Sequence, residues 1–80
     1  MIRSLVIDDE SAARSRMRRL LSAQAGVEVV GEASNGLEAI EKIEELRPDL
    51  AFLDIQMPGL DGFGVVRSLR DGPHQPLFIF

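Results

Sequence analysis

Residues 2–9 decide the fold; they read Ile2-Arg3-Ser4-Leu5-Val6-Ile7-Asp8-Asp9, an apolar run that ends on two acids. The run is short and contains several β-branched residues, which is typical of a buried strand. The same pattern recurs at Leu50–Leu53, an apolar run that ends on Asp54. Such near-continuous apolar strands indicate a parallel sheet, because helices cover both faces of parallel sheets.

Helical periodicity follows the first strand. An amphipathic helix that faces a core is predicted from Ser11 to about Ser22. On a helix with about 100° per residue, four apolar residues fall within one arc about 100° wide; they are Ala13, Met17, Leu20 and Leu21. We expect Gly26 to act as the C-terminal cap of this helix. A second strand is predicted from Val27 to Ala33.

A second helix is predicted to start after Asn35, because Glu38 follows three residues later as in a capping box. It extends to about Leu46, and Pro48 requires the chain to leave helical geometry. One broad side of this helix carries Leu37, Ile40, Ile43 and Leu46. A third, short helix has Phe63, Val66 and Leu69 on one side, and a fourth strand begins in Leu77–Phe80.

Strands that alternate with helices through short connections predict right-handed βαβ crossovers. We therefore predict an α/β fold, an open and doubly wound parallel sheet in the order β1-α1-β2-α2-β3-α3-β4. A chain of 80 residues allows one small domain.

The composition narrows the classes of function. The chain is 45% hydrophobic and 28% charged, which is ordinary for a soluble globular protein. It has no cysteine, so disulfides and thiolate–metal sites are excluded. The net charge of −4 argues against nucleic-acid binding by these residues alone. Neither a signal peptide nor a membrane span is indicated, so we expect a cytoplasmic protein with no membrane partner.

Three acids are predicted to meet at one edge of the sheet. Ligand sites of open α/β sheets lie beyond the carboxyl ends of the strands, where Asp8, Asp9 and Asp54 would converge. Their mutual repulsion favours a bound cation, and oxygen ligands with an incomplete shell suit Mg²⁺. An aspartate in this setting can attack phosphorus. A simpler alternative for Asp8 and Asp9 is that they cap the following helix.

Two motifs resemble the receiver domain of two-component response regulators. They are Ile7-Asp8-Asp9-Glu10 and the segment Phe52-Leu53-Asp54-Ile55-Gln56-Met57-Pro58-Gly59-Leu60-Asp61-Gly62, and the resemblance covers the whole chain. It implies a flavodoxin-like fold and a phosphoryl group carried on Asp54, donated by a sensor histidine kinase or a phosphotransfer protein. It also implies Mg²⁺ bound by Asp9 directly, by Asp8 mainly through water, by Asp54 and by the main-chain carbonyl of Gln56. Pro58 and Gly62 match turn positions of the family.

The resemblance implies a regulatory module rather than an enzyme, with at most self-phosphorylation from small phosphodonors and self-dephosphorylation. The sequence around Asp54 looks most like that of regulators whose output domain is a LytTR-type DNA-binding module. We expect such a protein to control transcription and to contact DNA only through that output domain, which is absent here.

The chain also departs from the family. A complete receiver has five strands in the order 2-1-3-4-5, whereas residues 1–80 stop in the fourth strand, so we expect them to be the N-terminal two-thirds of a single receiver domain. The Ser or Thr and the Lys with which the family contacts the phosphoryl group are absent. The exposed apolar edge of the fourth strand is a template for pairing, so we expect self-association as a dimer or a swapped assembly.

Two alternatives remain open. The chain could be a truncated structural or dimerisation module that is unable to signal. The other is a phosphohydrolase of the haloacid dehalogenase type, which also uses an aspartate nucleophile after a strand. That class needs a second acid two residues further on, where this chain has Gln56.

The remaining polar residues of interest have simpler interpretations. Four arginines crowd the first helix, at positions 14, 16, 18 and 19. A solvated helix face is the preferred interpretation, and recognition of a kinase or phosphotransfer partner is the alternative. His74 is a lone histidine without a nearby second ligand, so we expect no metal or catalytic role for it.

Overall fold

The computed structural model describes residues 1–54, 62–70, 72 and 74–80. Within them, one parallel sheet contains the strands Ile2–Ile7 (β1), Val27–Ala33 (β2), Leu50–Leu53 (β3) and Leu77–Ile79 (β4). The strand order is β2-β1-β3-β4. The helices Ser11–Ser22 (α1), Gly36–Leu46 (α2) and Gly62–Leu69 (α3) alternate with the strands. This confirms the predicted α/β architecture and element order.

Both ends of α2 are closed by local hydrogen bonds. The Asn35 side chain accepts from the Glu38 amide at 2.8 Å, and the Glu38 carboxylate accepts from the Ser34 amide at 2.7 Å. The helix ends at Arg47, which adopts a left-handed conformation with φ of 48° and donates its amide to the Ile43 carbonyl. The capping-box signal therefore identified the correct start, although Glu38 reaches Ser34 rather than the N-cap amide.

The helix α1 ends where it was predicted to end, but its C-cap is Ala23, so the prediction that Gly26 caps it was wrong. The helix ends at Ser22, and the amides of Ala23 and Gln24 bond to the carbonyls of Arg19 and Leu21. These carbonyls are therefore satisfied before the chain reaches Gly26. Gly26 has a φ of +83° in the turn before β2, and its carbonyl accepts from the Ile2 amide at 2.7 Å.

The main core lies on the face of the sheet that α2 and α3 cover. Its fully buried members from different elements include Leu5, Ala33, Ile43, Ala51 and Val65. The opposite face is covered over β1 and β2 by α1, which buries Leu21. Two residues predicted to face the core do not: Leu20 is 57% exposed and Leu37 is 68% exposed.

The exposure of Leu20 and Leu37 has a physical reason. Leu20 borders a groove over β3 and β4 that no helix of the described residues covers. Leu37 lies in the first turn of α2, ahead of Ala39, the first residue of that helix in the core. A helical arc identifies a face but not how much of it a neighbouring element covers.

A register shift interrupts the pairing of β1 with β2. Ser4 pairs with Val29, whereas Leu5 pairs with Gly31, so Val30 is the extra residue of a β-bulge. Beyond the bulge Glu32 pairs with Val6. In an unbroken ladder Glu32 would pair with Ile7, whose side chain lies in the α2–α3 core. The bulge therefore moves the Glu32 carboxylate to the α1 side of the sheet.

Candidate functional site

The carboxyl ends of β1 and β3 lie side by side. Ile7 pairs with Leu53, and the Asp54 amide donates to the Ile7 carbonyl at 3.0 Å. Asp8 and Asp54 thus directly follow paired residues of neighbouring strands. Both are half-buried, and both line the same groove.

An acidic turn connects β1 to α1. One carboxylate oxygen from each of Asp8, Asp9 and Glu10 lies within 4.8 Å of the other two; Asp8 is half-buried, and the other two residues are exposed. Asp54 lies outside this group, although it occupies the same edge of the sheet. Glu10 is an acid that the sequence reasoning did not assign to the site, and its position directly after the Asp pair was the available signal.

The acids of this turn do not cap α1 with their side chains. The N-cap residue is Glu10, which makes no side-chain cap hydrogen bond. The Asp8 carboxylate instead accepts from the Glu10 amide at 3.0 Å, a contact that shapes the turn itself. The helix-cap alternative for Asp8 and Asp9 is therefore not supported.

Two arginines of α1 bind Glu32 of β2. Arg14 Nε lies 3.2 Å from Glu32 Oε1, and Arg18 Nη1 lies 2.6 Å from Glu32 Oε2. Arg14 Nη1 also donates to the main-chain carbonyl of Asp8 at 2.8 Å. The interpretation as a solvated face holds for the exposed Arg16 and Arg19 but is wrong for Arg14, whose side chain is only 19% exposed.

An apolar groove of about 400 Å³ extends from the acids along the sheet. Its floor includes Val6, Phe52 and Ile79, one residue from each of three neighbouring strands in register. Its wall includes Met17 and Leu20 of α1. Asp8 and Asp54 line the groove together with Arg16, and its other lining residues are apolar.

The oxygen donors at this edge fit a hard divalent cation. Grouped carboxylates repel one another unless a cation offsets their charge, and Mg²⁺ favours one or two carboxylates together with water. Asp8, Asp9 and Asp54 lie at the appropriate edge of the sheet. Gln56, Met57 and Pro58 lie outside the described residues, so the predicted carbonyl ligand is not part of this geometry.

His74 lies at the opposite end of the sheet from the acidic turn. Its Nε2 atom is 2.7 Å from the carbonyl oxygen of Pro48. This contact joins the segment before β4 to the segment before β3. The geometry thus gives His74 a structural contact remote from the acids.

The model of one protein family matches residues 4–80, and it is described as the response regulator receiver domain. The chain belongs to this family. A receiver is a regulatory module of two-component signalling, and receivers interact with histidine kinases or phosphotransfer proteins and generally depend on Mg²⁺.

Curated relatives of this receiver carry different names. It is 52% identical over 75 residues to protein-glutamate methylesterase/protein-glutamine glutaminase 5 of Myxococcus xanthus. The matched segment is 94% of this chain and 22% of that protein. It is 48% identical over 80 residues to the transcriptional regulatory protein BtsR of Salmonella typhi. The matched segment is 100% of this chain and 33% of that protein. The receiver therefore spans a third or less of these relatives.

Solved receiver structures have the same fold. The response regulator domain of Thermotoga maritima CheB matches with a TM-score of 0.87 and 37% identity, over 98% of this chain and 59% of that one. The receiver domain of NarL from Mycobacterium tuberculosis matches with a TM-score of 0.90 and 39% identity, over 96% and 62%. These likenesses confirm the flavodoxin-like fold. Among the described residues, no helix has the length and apolar character needed to cross a membrane.

Proposed function

We propose that this receiver accepts a phosphoryl group on Asp54 from a phosphohistidine of a sensor histidine kinase or phosphotransfer protein, and thereby controls a separate output. The observation that carries the proposal is the pairing of Ile7 with Leu53, which brings Asp54 beside the acidic turn. Asp54 is half-buried at the mouth of the groove, so a donor can approach it from one side.

The proposed transfer is a displacement at phosphorus. A carboxylate oxygen of Asp54 forms the new P–O bond, the P–N bond of the phosphohistidine breaks, and the imidazole nitrogen keeps the electron pair. We propose Asp8, Asp9, Asp54 and the main-chain carbonyl of Gln56 as ligands of Mg²⁺. When bound, the ion offsets the negative charge of the acids and of the phosphoryl oxygens.

We propose that the receiver has no activity beyond its own phosphorylation from small phosphodonors and its own dephosphorylation. The 48% identity between all 80 residues of this chain and part of BtsR, named a transcriptional regulatory protein, supports a transcriptional output, with DNA contacted only by an output domain. The family assignment removes the support for a haloacid-dehalogenase-type phosphohydrolase. We propose a cytoplasmic location, where this receiver would encounter the phosphohistidine of a kinase partner. We also propose that residues 1–80 are the first two-thirds of one receiver domain.

Phosphorylation of purified protein tests the acceptor. We expect incubation with phosphoramidate and Mg²⁺ to add the mass of one phosphoryl group, and Asp54→Asn to abolish the addition. Asp49→Asn is the matched control, because Asp49 lies at the other end of β3 and the amide oxygen of asparagine can still accept from the Arg3 amide. A mass increase that survives in Asp54→Asn, or that is lost equally in both variants, contradicts the proposal.

A second candidate function is self-association through β4, as expected of a structural module. β4 is one of the two edge strands of the described sheet; its Leu77 is 65% exposed, and Phe80, which follows the strand, is 57% exposed. An exposed apolar edge strand is a template for pairing. We expect a concentration-dependent dimer in sedimentation equilibrium and a monomer for Leu77→Lys; a monomer for the unmodified chain at every concentration excludes this function.

A further inference from the structure

Arg14 connects three elements that meet at the acidic turn. Its main chain belongs to α1, its Nε atom binds Glu32 of β2, and its Nη1 atom donates to the carbonyl of Asp8 at the end of β1. The guanidinium is a rigid, planar donor, so fixing one edge of it on Glu32 fixes the direction of its other donors. Arg14 therefore holds the Asp8 carbonyl in a defined position.

The β-bulge at Val30 supplies the anchor for this arrangement. It places Glu32 opposite Val6, on the α1 side of the sheet, instead of opposite the buried Ile7. Bulges near functional sites often redirect a side chain in this way. The second oxygen of Glu32 is held by Arg18, so the carboxylate presents its first oxygen to Arg14 in a single orientation.

Asp8 is held at three points, two on its main chain and one on its side chain. Its amide donates to the Ala33 carbonyl at 3.1 Å, its carboxylate accepts from the Glu10 amide, and its carbonyl accepts from Arg14. Of these contacts, the one from Arg14 is made by a side chain of α1, the helix that follows the turn. Glu32 also offsets the charge of Arg14, so the guanidinium can hold the turn without presenting an unpaired positive charge beside a cation site.

We propose that Arg14 is a positioning residue for the acidic turn: through the Asp8 carbonyl it sets the geometry with which Asp8 and Asp9 receive a divalent cation. This inference rests on the proposed function of those acids. Arg14 does not touch the cation or the phosphoryl group; it orients the chain that carries the ligands. Residues that orient metal ligands typically change metal affinity about 10–100-fold when they are replaced.

Two glutamine variants separate positioning from general stability. Arg14→Gln and Arg18→Gln each remove one ion pair to Glu32, but only Arg14 contacts the Asp8 carbonyl. By amide NMR titration with Mg²⁺ alone, we expect Arg14→Gln to raise the dissociation constant about tenfold and Arg18→Gln to leave it unchanged. Equal effects of the two variants, or no effect of Arg14→Gln, overturn the inference.

Amide hydrogen exchange without metal gives an independent readout. The Asp8 amide donates to the Ala33 carbonyl and the Glu10 amide donates to the Asp8 carboxylate, so we expect both amides to exchange faster in Arg14→Gln than in Arg18→Gln. If the unmodified chain binds no Mg²⁺, the proposed metal site fails, and this exchange comparison still decides the positioning role. Equal exchange in the two variants refutes the positioning role.

Discussion

Replacing Glu32 by glutamine tests whether the Arg14–Glu32–Arg18 cluster stabilises the fold. Both ion pairs join residues far apart in sequence, so the unfolded chain largely lacks them. An exposed pair contributes roughly 0.2–1 kcal/mol, and Arg14 is the less exposed of the two arginines. The loss comes from these two pairs alone, because the repulsion of about 0.2–0.5 kcal/mol between Arg14 and Arg18, four residues apart on one helix, is present with and without Glu32.

These contributions predict that Glu32→Gln lowers the free energy of unfolding by about 1.2 kcal/mol at low salt. The expected fall in melting temperature is about 5–10 °C for a domain of this size. Because the chain has no Trp or Tyr, urea unfolding is best followed by far-UV circular dichroism. At 1 M NaCl, where the Debye length is about 3 Å, the loss should shrink to roughly half.

The same reasoning predicts a change of sign for Arg18→Gln. In the unmodified chain this variant loses an ion pair and destabilises by a few tenths of a kcal/mol; in the Glu32→Gln background it relieves repulsion and stabilises by about 0.3 kcal/mol. A Glu32→Gln loss that is independent of salt, or an Arg18→Gln effect of the same sign in both backgrounds, would refute this account of the cluster.

Three further stability predictions use the same unfolding assay. Ile43→Ala removes a fully buried core side chain and should cost about 2–5 kcal/mol, with Ile43→Val costing about 1 kcal/mol; equal costs would contradict a tightly packed site. Gly31→Ala should cost no more than about 1 kcal/mol, because the atoms that its Cβ would meet at 2.9 Å and 3.3 Å are the ends of the Leu46 and Leu5 side chains, which can shift, and a loss of several kcal/mol would contradict this packing. Arg47→Gly should stabilise by about 0.5–1 kcal/mol, since glycine adopts a φ of 48° without steric cost; a lower midpoint would show that the arginine side chain contributes more than this relief.

The order and limits of most elements followed from local sequence patterns. The bounds of β1, β2 and β3 and of α1 match the predicted ones, because apolar runs and helical periodicity depend on neighbouring residues alone. Asn35 with Glu38 marked the start of α2 for the same reason. The meeting of Asp8 with Asp54 was also predictable, since parallel strands place their carboxyl ends at one edge.

The tertiary structure alone decided which faces are covered and how the acidic turn is held. Leu20 and Leu37 satisfy the helical pattern and are nevertheless exposed, because burial depends on what lies opposite a side chain. Likewise, the local sequence pattern of β2 does not indicate the extra residue at Val30. This residue shifts the register so that Glu32 lies within hydrogen-bonding distance of Arg14. Periodicity is a property of a single segment, whereas strand register and the burial of a helix face arise only when segments pack together. The sequence by itself therefore identified the acids of the candidate site, and the packing identified Arg14 as the residue that holds their turn.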